Sequence, residues 1–320
     1  MRTDIDLQRM QARSGDRDAL NVLGRRLLLG EGIEQAFSEG VRLTLQAAQL
    51  GQPEALTRRA LFAAWGIQQR RDMGMALDDL EQAARSGWAP AQQQLALLAR
   101  REANDWQALR SEIDLQSLVA SRPPTVLRQQ PQVAAIECFA SPAECRWLIE
   151  RGRPSLHRAL VYRGSATPRS AETRTNSETG FTIGNADVFL SVLRDRMAAA
   201  AGTAITHFEV TKLLHYRVGE QFALHGDFLG LNTPELRQEI ELRGQRSMTL
   251  LVYLNDDYEG GATEFPRLGL RWRAKCGDAL LFSNINASGA PDYDSVHAGL
   301  PVTRGEKWLL SQWIRTRPVG

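Results

Sequence analysis

Two hydropathy periods divide the chain. Through residue 112, Leu, Ala and Gln dominate, the spacing of apolar positions is helical, and strand-like alternation is absent. This stretch also repeats itself. GDRDAL begins at Gly15, GQPEAL at Gly51 and GWAPAQ at Gly87, a period of 36 residues. Ala19, Ala55 and Ala91 keep register, as do the pairs Ala47–Ala48 and Ala83–Ala84. A fixed period in this range predicts stacked helix pairs, with small residues where helices touch and glycine at their ends. The polar, proline-bearing SRPPTVLRQQPQ (121–132) reads as a linker. Beyond it the period becomes two. THFEVTKLLHY sets Phe208, Val210, Leu214 and Tyr216 on one side, and SMTLLVYLN, DALLF and KWLLSQWIR read as further strands. SPAECRWLIERG, with Ser141 as cap and Pro142 in the first turn, and NADVFLSVLRDRMAAAAG read as helices. The predicted class is α+β with two domains: a helical repeat solenoid over 1–112, a linker over 113–130, and over 131–320 an antiparallel jelly roll flanked by helices.

Composition adds boundaries to this picture. With 320 residues and 43% apolar content, the chain can fill two cores. The 39 basic and 37 acidic residues nearly cancel and form no long basic run, so no nucleic-acid partner is expected. No run of 18 apolar residues suggests a membrane span. The opening MRTDIDLQRM lacks the apolar core of a secretory signal. Three cysteines, Cys138, Cys145 and Cys276, are a sparse and odd set that suits a reducing compartment, so a cytoplasmic location is expected. A Cys138–Cys145 disulfide stays open. Only Lys212, Lys275 and Lys307 are lysines among the 39 basic residues, so each one stands out.

Chemistry enters at FALHGDFLG, residues 222–230. On a strand, His225 and Asp227 would project from the same face. A buried carboxylate is costly without a partner, and a metal ion would be one. His297 follows in DYDSVHAGLPVTRGEKWLLSQWIR. Two histidines and a carboxylate form the facial triad that holds Fe(II) and leaves positions open for substrate and O₂. A structural zinc would close its shell with a fourth ligand, and no cysteine is well placed for that. Ten residues past His297, Lys307 shares a strand face with Leu309, Ser311 and Trp313. An inward lysine needs an anion. A dicarboxylic cosubstrate could put its keto-acid end on iron and its far carboxylate on Lys307.

At these residues the chain resembles a known family. From Leu213 to Arg315 it is similar to the prolyl 4-hydroxylases, Fe(II)/2-oxoglutarate dioxygenases related to the collagen-modifying enzymes. The matching strings are LLHYRVGEQFALHGDF, GQRSMTLLVYLND, EGGATEFP, KCGDALLF and DSVHAGLPVTRGEKWLLSQWIR. The likeness runs more weakly back to about residue 131, and the N-terminal repeats resemble Sel1-like repeats, relatives of the tetratricopeptide repeat. The resemblance implies a double-stranded β-helix with His225, Asp227 and His297 as iron ligands and Lys307 as the 2-oxoglutarate anchor. It implies Tyr216 and Thr263 as further cosubstrate contacts, with Tyr253 another candidate, and Arg246 as a substrate contact. Phe222 stands where the family usually has a tyrosine near the substrate proline, which leaves the iron chemistry intact and the substrate open. The polar run 163–181 corresponds to a stretch that closes over bound peptide. The implied activity is 4-hydroxylation of a peptidyl proline, using Fe(II), 2-oxoglutarate and O₂ with ascorbate, and giving succinate and CO₂. The substrate would be a protein or peptide, held by the helical repeats. The alternatives are the same chemistry on another residue or a small molecule, or a repeat scaffold whose oxygenase domain only senses ligand.

Overall fold

The computed structural model describes residues 4–160 and 173–319. The chain forms two compact units: Met1–Val119 with Thr182–Arg194, and Ala120–Phe181 with Asp195–Gly320.

The first unit is helical. Its helices are α1 Asp4–Arg13, α2 Arg17–Leu29, α3 Phe37–Gln49, α4 Pro53–Trp65, α5 Met73–Arg85, α6 Ala89–Ala99, α7 Trp106–Glu112 and α8 Leu115–Val119. The sequence period is also the structural one, since α2, α4 and α6 start at 17, 53 and 89. Gly15, Gly51 and Gly87 precede them in the left-handed region, at φ of 85°, 73° and 87°. Each closes the preceding helical turn by donating its amide to the carbonyl three residues back, at 3.0–3.1 Å. A side chain at such a φ is strained, which accounts for glycine recurring at this point. The repeated alanines are buried, from 8% exposure at Ala19 to none at Ala55 and Ala91. Residues 182–194, far along the sequence, join this unit. Ile183 packs against the cluster of Leu28, Val41 and Phe62, and Ser191 Oγ donates to Ala64 O at 3.1 Å.

The second unit carries the sheets. Fourteen strands occur among the described residues: β1 Thr125–Gln129, β2 Gln132–Ile136, β3 His157–Arg158, β4 Ser177–Gly180, β5 Lys212–Tyr216, β6 Phe222–His225, β7 Arg246–Tyr253, β8 Glu259–Gly260, β9 Thr263–Phe265, β10 Leu270–Trp272, β11 Ala279–Ser283, β12 His297–Gly299, β13 Val302–Arg304 and β14 Lys307–Arg315. A large sheet runs β1-β2-β11-β7-β14-β5-β4-β3, a smaller one β10-β9-β12-β6, and β13 pairs with β8. All pairs in these sheets are antiparallel, as in a jelly roll. The apolar faces of the two larger sheets share one core. Leu214, Leu251, Tyr253, Leu280, Phe282 and Leu309 from the large sheet meet Phe265 from the small one. Helices α9 Pro142–Gly152, α10 Val188–Ala201 and α11 Pro234–Arg243 complete the set. No helix among the described residues is long and apolar enough to cross a membrane.

Ser141 caps α9 in a full capping box: its hydroxyl accepts from Glu144 N, and the Glu144 carboxylate accepts from Ser141 N at 2.7 Å. The same carboxylate takes two bonds from Arg196, at 3.1 and 2.8 Å, with both side chains 3% exposed. Breaking a buried pair leaves its other charge uncompensated, at a cost of about 3–5 kcal/mol. Glu144→Ala should therefore lower the unfolding free energy by that amount, read from chemical denaturation of the full chain.

Two details differ from the periodicity. Ile205–His207 is a short 3₁₀ turn and β5 begins only at Lys212, so Phe208 is buried while Val210 is 48% exposed. Part of the polar run 163–181 is a strand: β4 pairs with β5, Ser177 opposite His215 and Gly180 opposite Lys212. Residues 163–172 of that run, and the closing segment expected there, lie outside the described residues. All three cysteines are free thiols. The neighbour of Cys145 is Cys276 rather than Cys138. A hydrogen bond between these two thiols pushes Cys145 up and Cys276 down.

Candidate metal centre

β6 and β12 are antiparallel neighbours with His225 directly opposite His297. Their imidazoles lie 4.4 Å apart, centroid to centroid. Asp227 is not on the strand as its spacing predicts. β6 ends at His225, and Asp227 lies in the bend that follows. Its carboxylate still reaches the histidines, with Oδ1 3.6 Å from His225 Nε2 and Oδ2 3.8 Å from His297 Nε2. Ligand atoms of the three residues lie within 4.8 Å of one another. His225 Nδ1 is 2.8 Å from Ala223 O, and His297 Nδ1 is 3.1 Å from Ser295 O. Each carbonyl demands a proton on Nδ1, which leaves Nε2 as the lone-pair donor turned toward Asp227.

The electrostatics suit a cation. Burial, and then the neighbouring His297, push His225 well below its ordinary range, so it is a neutral donor at neutral pH. Burial alone would push Asp227 up. His297, His225, the Thr249 hydroxyl and Arg246 together hold its carboxyl below the usual range. Two imidazole nitrogens and one carboxylate form the donor set of a mononuclear iron site. The residues present fit that metal.

The cavity around this cluster is lined by residues from both sheets, including Lys307, Leu309, Ser311 and Trp313 from one face of β14. Lys307 is 2% exposed. It donates to Gly261 O at 2.6 Å, and its Nζ lies 5.4 Å from the ring centroids of both Tyr216 and Tyr253. Burial pushes its ammonium down to about 7. Tyr216 and Thr263 also line the cavity. Tyr253 is fully buried behind Thr263, their hydroxyls 2.7 Å apart, so it meets the cavity through that threonine. Phe222 lines the cavity and stacks on the His225 ring at 3.5 Å, with planes 10° apart. Arg246 is held by Glu209, with Nε–Oε1 at 2.7 Å and Nη2–Oε2 at 2.9 Å. Its guanidinium lies 3.7 Å from the centroid of the cavity-lining Trp313.

Two further cations line the cavity, Arg174, which carries no signal in the sequence, and Lys212, which stands out there only as one of three lysines. Arg174 and Lys212 share Glu178, at 2.5 and 2.8 Å. Arg174 also lies 4.6 Å from the Phe222 ring centroid. They sit in a polar stretch and on a strand of ordinary pattern, and only the fold brings them to the iron-type cluster.

Residues 211–315 match the 2OG-Fe(II) oxygenase superfamily. A probable prolyl 4-hydroxylase 9 from Arabidopsis thaliana is 31% identical over 215 residues, covering 62% of this chain and 73% of the relative. The viral collagen prolyl hydroxylase of Paramecium Bursaria Chlorella virus-1, solved with 2OG, is 26% identical with a TM-score of 0.44, covering 57% of this chain and 95% of that one. A Sel1 repeat protein from Oxalobacter formigenes is 26% identical with a TM-score of 0.30, covering 35% of this chain and 90% of that one. On the superfamily match and the extent of the Arabidopsis relative, the chain belongs to the prolyl 4-hydroxylase family of 2OG-Fe(II) oxygenases and is a 2-oxoglutarate-dependent dioxygenase.

Proposed function

We propose that this enzyme hydroxylates C4 of a proline in an exposed segment of a protein or peptide, with succinate and CO₂ as coproducts. The observation that carries this reading is one cavity holding both the His225–Asp227–His297 cluster and the buried Lys307. In this reading the three clustered side chains hold Fe(II), and Lys307 anchors the far carboxylate of 2-oxoglutarate. Tyr216 and Thr263 flank that carboxylate, and Tyr253 sets the Thr263 hydroxyl. When bound, Fe(II) with 2-oxoglutarate supplies the oxidation: one atom of O₂ enters the substrate C–H bond, the other enters 2-oxoglutarate, and CO₂ leaves. Ascorbate would serve as reductant for iron oxidised off this path. The chain's own part is placement. Leu309 and the aromatic faces of Phe222 and Trp313 exclude water around the substrate. Arg246 acts on the substrate side through Trp313, with its charge already balanced by Glu209. The helical repeats would hold the protein partner and raise its effective concentration at the cavity. Three free thiols fit a cytoplasmic location.

Phe222 favours a second reading, the same chemistry on another residue or a small molecule. Its ring is committed to the face of His225 and offers no hydroxyl to a bound proline. One comparison separates the two: 2-oxoglutarate turnover by the full chain with proline peptides, matched alanine peptides and free amino acids. The first reading expects turnover stimulated by the proline peptides alone. Equal stimulation by alanine peptides or by free amino acids would discard proline as the target. The full chain is the right material, because residues 182–194 pack with the helices and a cut near 129 would strip them of that support.

A further inference from the structure

Each side chain of the triad has a second polar atom, and its fate decides how the first is presented. The two histidines spend theirs on the carbonyls of Ala223 and Ser295. Asp227 has a different arrangement. Its Oδ2 accepts the Thr249 hydroxyl at 2.7 Å, and the Thr249 oxygen in turn accepts from Asn284 Nδ2 at 2.9 Å. Thr249 and Asn284 are both fully buried. Oδ1 accepts no hydrogen bond from the described residues and lies 3.6 Å from His225 Nε2.

We propose that Asn284 and Thr249 are positioning residues that tie up Oδ2 of Asp227 and present Oδ1 alone to the metal. This rests on the reading that the triad holds Fe(II). The direction of the chain of bonds is set by chemistry. A carboxylate only accepts and an amide nitrogen only donates, while a hydroxyl does one of each. With Asn284 donating, the single Thr249 proton has to point at Asp227, where the negative charge strengthens the bond. The amide thus fixes the rotor of the threonine, and the threonine fixes the rotor of the carboxylate. A one-oxygen carboxylate keeps a coordination position open that a two-oxygen one would fill, and this chemistry needs its open positions for cosubstrate and O₂.

The fold explains why Asp227 needs such a tether. The two histidines stand on paired strands of the small sheet, whereas Asp227 follows the end of β6 with no ladder of its own. Thr249 lies mid-strand on β7, between Phe282 of β11 and Trp313 of β14. Asn284 immediately follows β11, its backbone N–H donating to Ser247 O at 2.8 Å and its backbone carbonyl accepting from Asp292 N at 3.0 Å. The relay therefore fastens a ligand from beyond the edge of one sheet to the rigid middle of the other. Asn284 Oδ1 has no hydrogen-bond partner among the described residues, so Nδ2 is the half of this side chain that the site uses.

The test is titration of metal-free, full-length protein with Co(II), following affinity by calorimetry and coordination by the visible ligand-field bands. Thermal unfolding of the metal-free protein is measured in parallel. Losing an outer partner of a metal ligand typically costs roughly 10–100-fold in metal affinity. Thr249→Val keeps the shape and deletes the donor, so Co(II) should bind that much more weakly with altered bands. Thr249→Ser should restore affinity and spectrum. Asn284→Asp replaces the donor with an acceptor that competes for the threonine proton, and should weaken Co(II) binding as Thr249→Val does. Wild-type affinity and spectrum in a folded Thr249→Val and in Asn284→Asp would overturn the relay. Failure of the wild-type protein to bind Co(II) would instead overturn the assignment of the triad, and the relay with it.

Discussion

Asp227→Ala should bind Fe(II) about two to three and a half orders of magnitude more weakly than wild type and make no succinate at limiting iron, while keeping its near-ultraviolet circular dichroism. The size of the effect follows from what is removed. Asp227 brings the only negative charge to the cluster of ligand atoms among the described residues. It is 5% exposed, where water cannot replace it. Losing one charge from a buried set costs about 3–5 kcal/mol, and about 1.4 kcal/mol is a factor of ten. His225→Ala should show the same pattern at smaller size, since it deletes a neutral donor and the Phe222 ring loses its stacking partner. Asp227→Asn separates charge from shape: it keeps an oxygen for the Thr249 hydroxyl and should still fail to retain iron. Full succinate production by Asp227→Ala or His225→Ala at limiting iron would remove these residues from the metal site.

How much of this site was legible beforehand depends on what kind of signal each residue leaves. Repeats are legible because a glycine at positive φ and a buried alanine each leave a residue type at a fixed place, as at Gly15, Gly51 and Gly87. Lys307 is legible because strand alternation forces its direction, and Leu309, Ser311 and Trp313 line the cavity with it. The backbone of Asp227 was misread, since the two-residue spacing assumes a strand that β12 does not pair beyond His225. β4 was hidden because it is polar. SETG is half buried through ion pairs, with Glu178 serving both Arg174 and Lys212, and hydropathy does not register a charge buried by another charge. Thr249 was invisible for a related reason. Within SMTLLVYLN it passes for an ordinary β-branched strand residue, and its partners Asp227 and Asn284 are 22 and 35 positions away.

Lys307→Ala should raise the 2-oxoglutarate requirement by roughly one to two orders of magnitude, because one charge-assisted contact is worth about 1.5–3 kcal/mol. Three cations line the cavity among the described residues, and their partners show which one a new carboxylate would meet. Arg174 and Lys212 already share Glu178, whereas among the described residues Lys307 meets no carboxylate and donates to the Gly261 carbonyl. The pH dependence is the sharper test. Burial lowers Lys307 to about 7 in the folded protein, against about 10.4 in an unfolded chain. Between these values the unfolded chain holds a proton that the folded one has released, so without cosubstrate the protein gains stability as pH rises through that window. A bound carboxylate reverses the preference, because it favours the ammonium and draws a proton in. Affinity for 2-oxoglutarate should therefore be level below about pH 7 and weaken by about tenfold per unit above it, until the lysine of the complex itself titrates. Calorimetry at pH 8 in buffers of different ionisation enthalpy should register close to one proton taken up per 2-oxoglutarate bound. Lys307→Ala should abolish both the slope and the proton uptake as well as weakening binding. An unchanged requirement in Lys307→Ala, with the slope intact, would assign the carboxylate to Arg174 or Lys212 and require Glu178 to release one of them.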